Sequence, residues 1–320
     1  MNKWLAYVWD TNGWQFDSAL FHLKIALLIN GHLRDNPIVC IQNALDELKQ
    51  FNKPNIDLYI NTFNVVGESK NSNPKNYKDK MASWSSNKLS SEKLIGEIDS
   101  KFEIYYLNIV DHKTFMKEEV EPILNNLQKT MKIKAPGLLS SHLSQSLQRS
   151  NLCSAALKNI DKYDLILLTR PDINIKNIKL PNKIDEETVY YLKTTPYYDE
   201  DWLVSVAGNW VEYFYYRNYF KEKNPIELIG ETFFMSNPKQ FLLINEHFLS
   251  RPENFIYDID LEKYNYLYYK YKSTNKLIPT WEMPEFLYSM FAKKFRLKFE
   301  QIGALKLHHD KVIREYRFYS

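Results

Sequence analysis

The apolar positions of the chain alternate between short continuous runs and stretches of helical spacing. Lys24 to Asn30 (KIALLIN) is an apolar run that stops at Gly31-His32, and it predicts a buried strand. From Asn36 to Gln50 the apolar residues Ile38, Cys40, Ile41, Ala44, Leu45 and Leu48 recur at helical spacing. Asn55 to Ile60 (NIDLYI) predicts a second strand, ending at Asn61-Thr62-Phe63. Strand, helix and strand at this spacing predict a βαβ unit, hence a parallel pair. Residues 67–93 turn polar without a sustained period, which predicts a long loop inserted into the core.

Phe102 to Ile109 predicts a third strand, and Thr114 to Lys132 a helix that Pro122 breaks or starts. Ser140 to Ile160 predicts a helix with Leu143, Leu147, Leu152, Ala155, Ala156 and Ile160 on one face. Tyr163 to Thr169 (YDLILLT) is the most apolar strand of the chain, closed by Arg170-Pro171-Asp172. Thr188 to Leu192 and Trp202 to Val206 read as further short strands, and Asn209 to Phe220 as an aromatic-rich helix. Beyond residue 225 the pattern is mostly helical, with elements at Ile226–Met235, Pro238–Leu249, Leu261–Lys272 and Pro284–Lys294. The expected fold is therefore α/β: a mainly parallel, Rossmann-like sheet flanked by helices. Residues 1–235 form the core, with the insertion at about 67–93, and residues 236–320 form a helical C-terminal extension packed on the same domain.

Composition narrows the function. A net charge of +3 on 320 residues is too weak a basic bias for nucleic acid. Only 8 glycines argue against a glycine-rich phosphate cradle. Cys40 and Cys153 lie in apolar settings, which predicts buried thiols and a reducing cytoplasm. No apolar run approaches the roughly 20 residues that span a bilayer, and the N-terminus lacks the apolar segment of a signal peptide. No HExxH, CxxC, GxSxG or P-loop motif occurs, which weighs against metalloproteases, zinc modules, serine hydrolases and P-loop enzymes.

In an open parallel sheet, ligands bind beyond the carboxyl ends of the strands. Three of those ends carry polar residues: Gly31-His32-Leu33-Arg34, Asn61-Thr62-Phe63-Asn64 and Thr169-Arg170-Pro171-Asp172. The carboxylate of Asp172 suits a hard divalent cation, which would hold a diphosphate. Arg170 then pairs with phosphate oxygens or holds Asp172 in place. Equally, Asp172 caps the turn before Ile173 with Arg170 as its ion-pair partner.

The order KIALLINGHLRD, NIDLYINTFN, YDLILLTRPDI resembles bacterial glycosyltransferases of capsule and lipopolysaccharide synthesis with a GT-A type fold, over roughly residues 24–235. In that group the first strand runs into a Gly-x-x-Arg loop, matched by Gly31 and Arg34. The second ends in a Thr-aromatic pair, matched by Thr62-Phe63. The fourth ends in Arg-x-Asp, matched by Arg170 and Asp172. The resemblance implies a nucleotide-sugar donor, a glycan or lipid-linked glycan acceptor, and Mn or Mg. It implies donor binding by Gly31, Arg34, Thr62, Arg170 and Asp201, and the polar strand ends add His32 and Asn61 as donor-binding candidates by position. In many GT-A enzymes a late His completes the metal shell, here His308 beside Asp172; His308-His309-Asp310 reads equally as a solvated turn.

GT-A enzymes usually carry Asp-x-Asp where this chain has Arg-Pro-Asp, so only Asp172 can fill that role. This sets a metal-independent transferase, or a non-catalytic carbohydrate- or nucleotide-binding protein, beside the metal-dependent enzyme. Arg149, Ser150 and Asn151 face the donor from the helix before the fourth strand, or form a solvated face. Glu231, before an apolar run, is the candidate base for the acceptor hydroxyl, ahead of Glu285; Asp172 is the second catalytic candidate. Tyr197 and Tyr198 stack on a base or sugar, or pack in the core. Lysines interleaved with aromatics in the C-terminal third suit a peripheral contact with the inner face of a membrane, or a solvated helix face.

Overall fold

The computed structural model describes residues 7–10, 13–16, 23–33, 37–51, 54–65, 88–131, 136–175, 178, 181, 184–194, 233–246 and 295–307. Two N-terminal strands, β1 (Tyr7–Asp10) and β2 (Gly13–Phe16), pair antiparallel as a separate hairpin. The remaining strands begin with β3 (Lys24–Asn30), followed by helix α1 (Pro37–Leu48), β4 (Asn55–Phe63), α2 (Lys88–Lys101) and β5 (Tyr106–Val110). A continuous helical stretch follows: α3 (His112–Phe115), a π-turn (Met116–Val120) and α4 (Glu121–Met131). Then come α5 (Pro136–Leu157), β6 (Leu165–Thr169), β7 (Ile173–Asn174), β8 (Thr188–Thr194), β9 (Phe233–Ser236), α6 (Pro238–Ile244) and β10 (Lys298–Leu307).

Among the described residues, eight strands form one sheet in the order β5-β4-β3-β6-β9-β8-β10-β7. β5, β4, β3 and β6 run parallel. β9 is antiparallel to both β6 and β8, and β10 is parallel to β8. The chain therefore builds outward from β3 through β4 to β5, then returns to lay β6 on the other side of β3. That reversal is the topological switch point at which open α/β sheets bind ligands. The architecture is the α/β, mainly parallel, helix-flanked one expected from the sequence.

Strand pleating explains why the strands read as unbroken apolar runs. Ile25, Leu27 and Ile29 of β3 pack with Ile41, Ala44 and Leu48 of α1 and with Ile98 of α2. Ala26 and Leu28 face the other way, against Leu152, Cys153 and Ala156 of α5 and Phe241 and Ile244 of α6. Both faces of the sheet are thus covered, and β3 and β6 are buried along their lengths.

Several elements differ from expectation. β4 runs on to Phe63, so Asn61 and Thr62 lie in the strand rather than beyond it. α2 begins at Lys88, inside the stretch expected as loop. Phe233–Ser236 is a strand, and Lys298–Leu307 adds another from the part read as mostly helical. Pro122 neither breaks nor starts the helix. The Glu121 N–H reaches back to the Met116 carbonyl, and this wider turn carries the chain past a residue that has no N–H to give. The expected strand at 202–206 and helices at 209–220, 261–272 and 284–294 lie outside the described residues. Among the described residues, no helix is long and apolar enough to cross a membrane.

Candidate functional site at the switch point

Gly31 ends β3 with φ +133°, a conformation that side-chain-bearing residues rarely adopt. Its N–H donates to the Asn61 carbonyl at 3.1 Å. A Cβ built on Gly31 would lie 3.5 Å from Cδ of Pro171, so the loops leaving β3 and β6 touch. The two halves of the switch point meet at these residues.

Beyond Pro171, Arg170 and Asp172 form a two-pronged ion pair. Nε of Arg170 donates to Oδ1 of Asp172 at 2.9 Å, and Nη2 donates to Oδ2 at 2.6 Å. The side chains are only 16% and 13% exposed, so this is not a loose surface pair of the kind that contributes little. The Asp172 charge also reaches Cys40 on α1. Burial first, and then Asp172, push that thiol up to about 12, so it stays protonated.

On the α5 side of the sheet, one layer below the strand ends, three asparagines sit at paired positions of β3, β4 and β5. Nδ2 of Asn108 donates to Oδ1 of Asn61 at 2.9 Å, and Nδ2 of Asn61 donates to Oδ1 of Asn30 at 3.2 Å and to the Gln148 carbonyl at 2.8 Å. The last bond ties α5 over the strand ends. The inward stripe of α5 changes character there: Leu152, Cys153 and Ala156 are apolar, while Gln148 and Arg149, one turn earlier, are polar and buried. Among the described residues, Nε2 of Gln148 and Oγ1 of Thr62 are buried without a hydrogen-bond partner. They lie on opposite faces, since Thr62 alternates with Asn61 along β4.

His32, Phe63 and His112 close the ends of β3, β4 and β5 as a three-ring cluster. Ring centroids lie 4.5 Å apart for His32–Phe63, 5.3 Å for His32–His112 and 4.8 Å for Phe63–His112. His32 Nδ1 lies 3.4 Å from the Val65 carbonyl. Burial holds the His112 pKa below its ordinary 6.5, partly opposed by the charge of Asp111. Asp111 itself caps α3, accepting from the Thr114 N–H at 2.8 Å.

Of the residues singled out from the sequence, Gly31, Arg170 and Asp172 meet at the switch point. Asn61 belongs to the asparagine ladder, His32 to the ring cluster, and Arg149 to the buried stripe of α5. Ser150 is buried and Asn151 exposed. Arg34, Tyr197, Tyr198, Asp201, Glu231, Glu285, His308, His309 and Asp310 lie outside the described residues. Asn30, Asn108, Gln148 and His112 were not singled out, although one signal was present: both KIALLIN and NIDLYIN close on Ile-Asn.

The described residues do not fit a divalent cation. Both carboxylate oxygens of Asp172 accept from Arg170, and no group of three His, Cys, Asp or Glu side chains converges among them.

No protein-family model matches the chain, and no curated protein sequence does. Two solved structures with which it overlaps are mouse xyloside xylosyltransferase 1 in its apo form and the galactosyltransferase LgtC in complex with donor and acceptor sugar analogues. The first has TM-score 0.38 and 10% identity, covering 87% of this chain and 85% of that one. The second has TM-score 0.31 and 9% identity, covering 93% and 84%. Overlap at this level constrains neither the fold nor the chemistry of this chain.

Proposed function

We propose that the chain is a glycosyltransferase that moves a sugar from a nucleotide-activated donor to a hydroxyl of a glycan or lipid-linked glycan, at the switch point between β3 and β6. The observation that supports this most is the contact of Gly31 with Pro171 beside the half-buried Arg170–Asp172 pair. It brings two of the three polar strand ends together where an open α/β sheet takes a nucleotide. The third end adjoins them through the bond from Gly31 N–H to Asn61.

In this reading the guanidinium of Arg170 faces the charge that develops on the departing diphosphate. A fixed cation in a partly buried site stabilises that charge without reorganising at the moment of reaction. Arg34 adds a second cation. In an inverting transfer, Glu231 takes the proton of the acceptor hydroxyl as its oxygen bonds the anomeric carbon. The bond from that carbon to the diphosphate breaks, and the electron pair leaves with the nucleotide.

A non-catalytic binding protein on the same scaffold is favoured by one fact: the one acidic side chain at the switch point among the described residues is engaged by Arg170. The two readings separate on incubation with UDP-, GDP- and CDP-sugars and analysis of released nucleotide. Nucleotide release with any donor supports the transferase. Tight nucleoside diphosphate binding without release or transfer would leave the binding protein.

A further inference from the structure

We infer that Asp172 is the positioning residue of Arg170, and that this pair binds the donor's diphosphate without a divalent cation. The inference rests on the diphosphate site proposed above and concerns how that site holds its ligand.

The geometry carries it. A cation on Asp172 would need a carboxylate oxygen, and each already accepts a guanidinium N–H, at 2.9 and 2.6 Å. A cation sharing that carboxylate would sit beside the guanidinium's own positive charge, a like-charge contact worsened by partial burial. The flanking backbone is held in place. Pro171 is buried between the two residues, its ring fixes φ there, and Gly31 packs against it. Both side chains thus leave a rigid turn, which favours a planar fork set in one orientation. Such a fork matches phosphate oxygens in pairs, whereas a lysine offers only a point charge. On the α1 side the nearby thiol of Cys40 remains neutral and adds no anionic ligand. Asp172 therefore does for Arg170 what the second partner does in other oriented pairs: it sets the plane of the group that touches the ligand.

Titration calorimetry of the full chain tests this with inorganic pyrophosphate, UDP, GDP and CDP as probes, each in EDTA and in Mn. The expected result is a Kd for at least one probe that agrees within about twofold between the two conditions. Arg170→Gln should weaken that binding by about ten- to a hundredfold, the scale of lost charge-assisted hydrogen bonds. Asp172→Asn should weaken it less. The double variant should bind no more weakly than Arg170→Gln alone, because Asp172 acts through Arg170. A purely structural role would instead give additive losses, tracked by thermal unfolding of the unliganded variants. Binding that appears only with Mn, is lost in Asp172→Asn and survives in Arg170→Gln would overturn the inference and leave the transferase standing. The comparison of EDTA with Mn on the unaltered chain decides the matter even if a variant fails to fold. Failure of every probe to bind in both conditions would overturn the inference together with the diphosphate site.

Discussion

Nδ2 of Asn61 donates to Oδ1 of Asn30 at 3.2 Å, across paired positions of β4 and β3. The same amide group reaches the Gln148 carbonyl, and the Asn61 oxygen accepts from Asn108. One side chain thus joins three strand ends to the helix above them, in a layer where Asn30 and Asn61 are both 1% exposed.

Asn61→Ala should therefore cost more than an ordinary surface change. It strands the Asn108 amide and removes the donor that reaches Asn30 and Gln148, and each buried polar group left unpaired costs about 1–3 kcal/mol. Urea unfolding should show a loss within or above that range. Asn61→Asp should not rescue it, because a carboxylate supplies no N–H to Gln148. A change below about 0.5 kcal/mol, the range of neutral surface substitutions, would mean that the ladder is not holding the strand ends.

Gly31→Ala should destabilise the chain by about 1–3 kcal/mol through backbone strain. The new Cβ would meet Pro171 at 3.5 Å, an ordinary contact, so φ +133° and not a clash is the cause. Shifting this loop also moves the turn that carries Arg170 and Asp172. The same variant should lose nucleoside diphosphate affinity in calorimetry. Unchanged affinity with lowered stability would separate the β3 loop from the ligand.

The parallel half of the sheet was legible because strands buried on both faces are written as unbroken apolar runs, as in KIALLIN and YDLILLT. β9 was not legible, since three apolar residues and a serine, FFMS, carry no period that separates a strand from a helix. β10 hid for another reason. A register shift between Gln301 and Gly303 breaks its alternation, so KFEQIGALKL shows no clean period of two. At the site, the strand ends could be read by position, which brought out Gly31, Arg170 and Asp172. The Arg170–Asp172 pairing was one of two readings left open. The asparagine ladder depends on register between strands, which no single segment encodes. For α5, apolar spacing marked Leu143, Leu152 and Ala156, and the buried face extends across Gln148 and Arg149 as well.

His112 gives the chain a pH dependence. Its folded-state pKa lies below 6.5, chiefly through burial. Between the unfolded value and that lower one, the unfolded chain binds more protons, so stability falls as pH falls. The contribution is fully present above about pH 6.5. Urea unfolding at pH 5.5 and 7.5 should show lower stability at the acid value, and His112→Gln should shrink the difference. An unchanged difference in that variant would assign the slope to other groups.

A second buried network lies at the opposite, N-terminal ends of the strands and serves as a control. The Tyr163 hydroxyl donates to Oδ2 of Asp57 at 2.8 Å and lies 2.7 Å from the Tyr59 hydroxyl, while Nζ of Lys24 stands 3.3 Å from the same Asp57 oxygen. Burial, then the contacts with Tyr59 and Asp57, push the Tyr163 pKa far above its ordinary 10, so the hydroxyl remains a donor at any working pH. Tyr163→Phe removes that donor and leaves Asp57 with Lys24. A hydrogen bond to a charged group contributes about 1.5–3 kcal/mol, so unfolding free energy should drop by about that much. Because β3, β4 and β6 run parallel, this network and the switch point sit at opposite ends of the same strands. Nucleoside diphosphate affinity should therefore stay within about twofold of the unaltered chain. A larger loss of affinity in Tyr163→Phe, at equal folded fraction, would show that the ligand binds away from the carboxyl ends of the sheet.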